Sequence, residues 1–181
     1  MGNPRRMKAI DFKKALTKQR PPRTSKPSKS LANMIESLYM PALFWGRNDQ
    51  WKEGEITFVL PCLMPGLNGD DGLMRLHFSK SEKLKDAVIY AIRKQLPPKK
   101  PLVFTGKVEI RYIRYCVRES TMMDWDNASA SFKHIGDALV KCGVIKDDNP
   151  RIVKRFTPEQ EISETKKAYT IIQISPYVHT I

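Results

Sequence analysis

Cysteine and histidine are scarce in this chain, three of each in 181 residues, and neither is spaced to bind zinc. Cys62, Cys116 and Cys142 lie far apart and never form C-x-x-C, and His77, His134 and His179 stand at no distance from them that builds a tetrahedral site. The cysteines therefore read as ordinary reduced or buried thiols, not as a disulfide framework. No stretch approaches the ~18 consecutive apolar residues of a membrane-spanning helix, and the N-terminus lacks the apolar segment of a signal peptide. An intracellular, soluble chain is the expectation. No internal repeat is present, and the length suits one domain that buries about two thirds of its unfolded surface.

Acidic residues are the next scarcity, and it is local. Lys and Arg outnumber Asp and Glu by 32 to 19, yet residues 1–30 hold ten basic residues against Asp11 alone, leaving 22 against 18 in the rest. A concentrated positive field implies a polyanionic partner. Nucleic acid is favoured over a membrane surface, because the segment has no broad apolar face and Pro21, Pro22 and Pro27 interrupt any helix between 7 and 19. Residues 1–30 read as a basic arm, too polar to fold alone, and residues 31–181 as the domain. Arg5, Arg6, Lys13 and Lys14 are its candidate contacts to a phosphate backbone.

Hydrophobic periodicity in the domain alternates between strand and helix, which predicts a mixed α/β fold. A short helix is expected over 31–38 and a first strand over 56–60, Ile-Thr-Phe-Val-Leu. The glycine-rich loop 65–72 follows, where turn chemistry accounts for Asp70 and Asp71. Ser81 and Glu82 resemble a helix N-cap ahead of Leu84, Val88 and Ile92, with Pro97 and Pro98 ending that helix. Over 102–117 a long strand places Val108, Ile110, Tyr112 and Arg114 on one face and Ile113 and Tyr115 on the other. A helix over 128–142, closed by Gly143 in the C′ position, and strands over 151–156 and 168–175 complete the pattern.

Against this basic background, five carboxylates and a lysine crowd into 25 positions: Asp124-Trp-Asp126-Asn127, Lys133, Asp137-Ala-Leu, and Gly143-Val-Ile-Lys-Asp147-Asp148. Two carboxylates one residue apart, joined by a third from beyond a short helix, are the hard oxygen ligands Mg²⁺ prefers, with water and substrate phosphate completing the octahedron. If the strand runs on to Asp126, both carboxylates of the Asp124/Asp126 pair point to one side. Simpler roles exist for each residue. Asp126 or Asn127 can cap a helix, Asp147-Asp148-Asn149-Pro150 can be a turn, and Lys133 and Asp137 can pair at i, i+4. On a helical wheel Phe132, Ile135, Leu139 and Cys142 form one apolar stripe, opposite Asp126, Lys133, Asp137 and Lys141. A lysine so placed can reach a phosphate held at the carboxylates and stabilise developing charge.

Residues 122–153, with this motif, resemble the RusA-type Holliday junction resolvases, endodeoxyribonucleases of bacteria and their phages; the likeness extends loosely over the last 60% of the chain. The family's D-x-D-N, lysine, D-A-L, G-[FVL] and D-D find counterparts in Asp124, Asp126 and Asn127, in Lys133, in Asp137-Ala138-Leu139, in Gly143-Val144 and in Asp147-Asp148. One departure stands out. The family's lysine follows the second aspartate by four residues, whereas Lys133 follows Asp126 by seven, as though three residues of 128–132 were inserted. Three residues rotate a helix by about 300°, so the lysine keeps its facing while moving about 4.5 Å along the axis.

The resemblance implies a RusA-like single domain, a mixed sheet packed by helices, that forms a homodimer. It also implies Asp124, Asp126 and Asp148 as metal carboxylates, with Asp147 adjacent. The expected activity is Mg²⁺-dependent cleavage of four-way DNA junctions in recombination and repair, with Mn²⁺ an acceptable substitute and Lys133 assisting. Lys133, Lys141 and Lys146 join the arm as candidate DNA contacts, in a cytoplasmic protein of bacterial or phage origin with no membrane partner. Two alternatives remain: a noncatalytic DNA-binding protein of the same fold, and a nuclease for flaps, other branched intermediates or RNA.

Overall fold

The computed structural model describes residues 29–40, 54–68, 72–96 and 104–178. Helix α1 spans Lys29–Tyr39, β1 Ile56–Leu60, α2 Phe78–Gln95 and β2 Val108–Cys116. A single 3₁₀ turn, Glu119–Thr121, leads to α3, Trp125–Ala130, and α4, Lys133–Lys141, before β3, Val153–Ile162, and β4, Tyr169–Pro176. The class is mixed α and β, as the periodicity implies. The four strands form one mixed sheet in the order β1-β4-β2-β3. β4 runs antiparallel to both β1 and β2, and β2 pairs with β3 in parallel through the crossover that contains α3 and α4.

Alternation decides which face each strand buries. Ile56, Phe58 and Leu60 of β1, Val108, Ile110 and Tyr112 of β2, and Ile172 and Ile174 of β4 all point to one side, where the helices cover them. α2 buries Leu84, Ala87, Val88, Ala91 and Ile92, the i, i+3, i+4, i+7, i+8 set of an amphipathic helix, and packs on both α1 and α4. Phe132 anchors the start of α4 on the sheet, its ring 5.4 Å from Tyr112 and 4.7 Å from Phe156. The opposite face mixes apolar residues, among them the buried Ile113 and the stacked Tyr115 and Tyr169, with charged ones. There Arg111 binds Glu159 through both Nε and Nη2, at 3.0 and 2.8 Å, and Arg155 reaches Glu109 at 3.2 Å.

Both edges of the sheet are protected. The Gln95 carboxamide donates to Val59 O and accepts from Val59 N, each at 2.9 Å, occupying backbone groups that an edge strand leaves unpaired. β3 is the other edge among the described residues, where Pro158 is tolerated because no further described strand requires its missing N–H. This strand is also longer than expected, running to Ile162 and beginning only at Val153.

Three expectations need correction. The second helix begins at Phe78 and not at Ser81; His77 caps it, its Nδ1 accepting from Ser79 N at 3.3 Å. The long strand begins at Val108, while Phe104 makes only an isolated bridge to Ile145. Residues 128–142 form two helices, α3 starting earlier, at Trp125, and α4 starting at Lys133. The break falls where Ser131 is drawn into a buried network. Ser131 Oγ donates to Ala128 O at 2.6 Å, which commits its single proton, and it then accepts from Tyr112 OH at 2.7 Å and from Arg114 Nη1 at 2.9 Å. A side chain bonded this way pulls the backbone off the regular helix. At the far end α4 closes as expected: Gly143 adopts φ 72°, Gly143 N donates to Val140 O and Val144 N to Leu139 O, both at 2.9 Å, which is a Schellman motif.

Arg114 belongs to the apolar face of β2 and is only 1% exposed. Its Nη1 also donates to Met64 O at 2.8 Å, while its Nε has no hydrogen-bond partner among the described residues. Among the described residues no carboxylate pairs with it, and neutral acceptors offset the cost of burying the charge. Ser131→Ala removes one of these acceptors and is expected to cost about 1–3 kcal/mol. Arg114→Ala, which also leaves a cavity, is expected to cost more, about 3–5 kcal/mol. Urea midpoints read both, and a Ser131→Ala midpoint equal to the parent's would show that the buried guanidinium does not depend on this hydroxyl.

Candidate functional site

The motif residues sit along the crossover from β2 to β3. Asp124 is the N-cap of α3: its Oδ1 accepts from Asn127 N at 2.8 Å and its Oδ2 from Asn127 Nδ2 at 2.9 Å. Both of its oxygens are thus engaged by one neighbour. Asn127 turns its own Oδ1 the other way, to accept from Leu67 N and Asn68 N, each at 3.1 Å. The D-x-D-N segment is therefore a tether that holds the loop after β1 against α3. Asp126 lies in the first turn of the helix, exposed, so the pair is not displayed along a strand as expected. Trp125 between them is 60% exposed.

At the other end of the crossover, Asp147 repeats the pattern of Asp124. Its Oδ1 accepts from Asn149 N at 3.2 Å and its Oδ2 from Asn149 Nδ2 at 2.7 Å, forming the turn that leads into β3. Asp148 instead packs against α4. A Cβ built on Gly136 would stand 3.1 Å from Asp148 Oδ2 and 3.3 Å from Phe132 Cε1, so this glycine is what admits the carboxylate to the helix. Asp126 and Asp148 make no hydrogen bond or ion pair among the described residues.

The lysines divide in the same way. Lys133 and Lys141 are exposed at the two ends of α4, and Lys146 is exposed on the segment after it. Asp137 does not pair with Lys133. It binds Lys85 of α2 at 3.0 Å, a partner from a different helix that sequence spacing does not reveal. That bond is the main reason the Lys85 ammonium is held above its ordinary range. Arg5, Arg6, Lys13 and Lys14, with Asp70 and Asp71, lie outside the described residues.

Among the described residues no three His, Cys, Asp or Glu side chains stand close enough together to hold a metal ion. Asp124, Asp126 and Asp148 are thus not assembled into one ligand set. The physical reasons are on view: Asn127 engages Asp124, and the Asp pair sits at the start of α3 while Asp148 packs on the separate helix α4. The described cysteines are all free thiols; burial pushes Cys62 up to about 12, which leaves it protonated and unreactive.

Sequence reading missed the buried His134 beside Lys133 and its half-buried partner Ser81. His134 is 6% exposed, its Nε2 lies 3.3 Å from Ser81 Oγ, and its Nδ1 has no partner among the described residues. Burial, the largest influence, pushes the imidazole below its usual 6.5, with Lys85 and Lys133 acting in the same direction against Asp137. The folded protein consequently binds this proton less readily than the unfolded chain. Stability from His134 is complete above about pH 6.5 and is lost as pH falls through the depressed folded value. His134→Gln is expected to flatten the loss of stability between pH 7 and pH 5, read from urea midpoints; an unchanged pH slope would remove the imidazole from the acid response.

No protein-family model and no curated protein matches this chain.

Proposed function

We propose that the chain is a RusA-like, divalent-metal-dependent endodeoxyribonuclease that acts on branched DNA, with the four-way junction as its substrate. The observation that carries this reading is the packing of Asp148 onto α4 at Gly136, which sets a carboxylate from one motif segment against the helix that bears Lys133. Asp126 and Asp148 are the motif carboxylates with oxygens uncommitted among the described residues. Mg²⁺ is commonly bound by one or two carboxylates plus substrate phosphate and water, so a preformed three-carboxylate cage is not a requirement. When bound, the ion would supply charge neutralisation and an activated water. The chain's own contributions are a backbone-binding lysine set, Lys133, Lys141 and Lys146, joined by the basic arm, and the Lys133 ammonium placed to stabilise charge on a phosphate. A homodimer fits the near two-fold symmetry of a four-way junction and the need for paired cuts.

A second reading has its own support. Asp124 caps a helix and Asp147 organises a turn, as a DNA-binding protein without cleavage activity would use them. Four-way, flap and linear DNA compared in Mg²⁺ separate the readings: preferential cutting of the four-way junction supports the proposal, tight binding without cutting supports the second reading, and faster cutting of flaps reassigns the substrate.

Two sets of variants test the residues. Asp126→Asn and Asp148→Asn are each expected to abolish cleavage while junction affinity holds or rises, since a charge that repels phosphate is lost. Near-parental turnover in either would remove that residue from the site. Gly136→Ala is expected to keep the fold, because the exposed Asp148 can give way, while displacing its carboxylate and lowering cleavage on the order of 10-fold. Single-turnover rates and far-ultraviolet circular dichroism measure the two effects separately.

A further inference from the structure

Where α3 gives way to α4 the structure holds a pocket of about 290 Å³, just under the range of small-ligand sites. Leu67, Leu73, Met74 and Ala130 make its apolar walls, Ser81 and His134 its neutral polar ones, and Lys133 completes the lining. Ala130 lies four residues after Asp126, hence on the same side of α3, and the Leu67 wall is held in place by Asn127 through its backbone bond. The pocket is thus built into the candidate site by the same tether that organises Asp124.

We propose that this pocket receives one unpaired nucleobase of the strand whose phosphate Lys133 contacts. The inference rests on the nucleic-acid reading above and extends it to how the branch is recognised. Each feature of the lining matches that occupant. Aliphatic walls grip the faces of a flat ring, and Met74 adds a polarizable thioether suited to aromatic contact. The Ser81 hydroxyl, oriented by its bond to His134 Nε2, keeps further hydrogen-bonding capacity for the edge of a base. The ammonium answers the phosphate that must accompany any base, and the whole chain, at +13, attracts a polyanion. A base pair at a branch point is flanked by an exchanging strand and not by continuous duplex on both sides, so opening it to fill a pocket costs less there than within a linear arm. That selection would favour branched over linear DNA without reading sequence.

The test uses the full chain, with Ca²⁺ in place of Mg²⁺ to suppress cutting, and four-way junctions carrying 2-aminopurine at successive positions around the branch. One position is expected to brighten several-fold on binding, as the fluorescent base leaves the stack for aliphatic walls. Ala130→Leu fills the pocket and is expected to return that signal to the level of free DNA, with anisotropy showing that the junction is still bound. Met74→Glu tests the same point without risk to the fold, since Met74 is 73% exposed, and places a repelling charge at the lining. The proposal is overturned if the junction binds and no position brightens, or if brightening survives both variants. Loss of all DNA binding by the parent would instead overturn the nucleic-acid reading itself, and the pocket proposal with it.

Discussion

The Arg114 guanidinium, buried without a counter-ion among the described residues, is the constraint on which the remaining geometry depends. A charge taken out of water must find strong dipoles, and here one nitrogen reaches the Met64 carbonyl and the Ser131 hydroxyl at 2.8 and 2.9 Å. Those two acceptors belong to the loop after β1 and to the break between α3 and α4. The guanidinium therefore joins three separate segments at one point, and movement of any of them would leave a buried charge short of partners. From Met64 the same loop runs to Leu67 and Asn68, whose backbone groups bind Asn127, whose amide in turn holds Asp124. The position of the motif is thus inherited, bond by bond, from a residue that carries none of the chemistry.

This arrangement separates the acidic cluster into two kinds of residue. Asp124 and Asp147 each hold the Asn two or three places later, and spend both oxygens doing so. Asp137 is committed to Lys85, across the α2–α4 contact. Asp126 and Asp148, exposed as Asp124 is, differ in being unpaired among the described residues. Carboxylates kept without partners in a lysine-rich setting retain their capacity to bind a cation or to repel phosphate, which is why the proposed chemistry falls on them and not on their better-bonded neighbours.

The two sheet faces are also used differently. The helix-covered face supplies the rigid base, and Arg114 is the charged side chain buried there among the described residues. On the open face, ion pairs between adjacent strands tie β2 to β3, with Arg111 and Arg155 each bound to a glutamate of the neighbouring strand. Exposed pairs contribute little individually. Their placement across the parallel β2–β3 contact nevertheless opposes register slip at the strand pair that the crossover spans.

Local chemistry was legible where neighbours in sequence are neighbours in space. The β1 run, the inward face of β2 with Arg114 on it, the apolar stripe of α4 and the glycine that ends it all follow from side-chain period and backbone stereochemistry, which act over a few residues. The mixed α and β class follows from the same periods. An arginine in line with Val108, Ile110 and Tyr112 was itself a signal of burial, although its partners were not readable. What only the tertiary structure decided are the contacts that compete with local preference across long separations. Tyr112 and Arg114 draw on Ser131 and split one expected helix in two; Lys85 takes Asp137 away from its i, i+4 neighbour; Ser81 meets His134; and Gly136 admits Asp148. A helix–helix or strand–helix approach is set by the packing of the whole core, so which hydroxyl, carboxylate or glycine it brings together cannot be read from spacing along the chain.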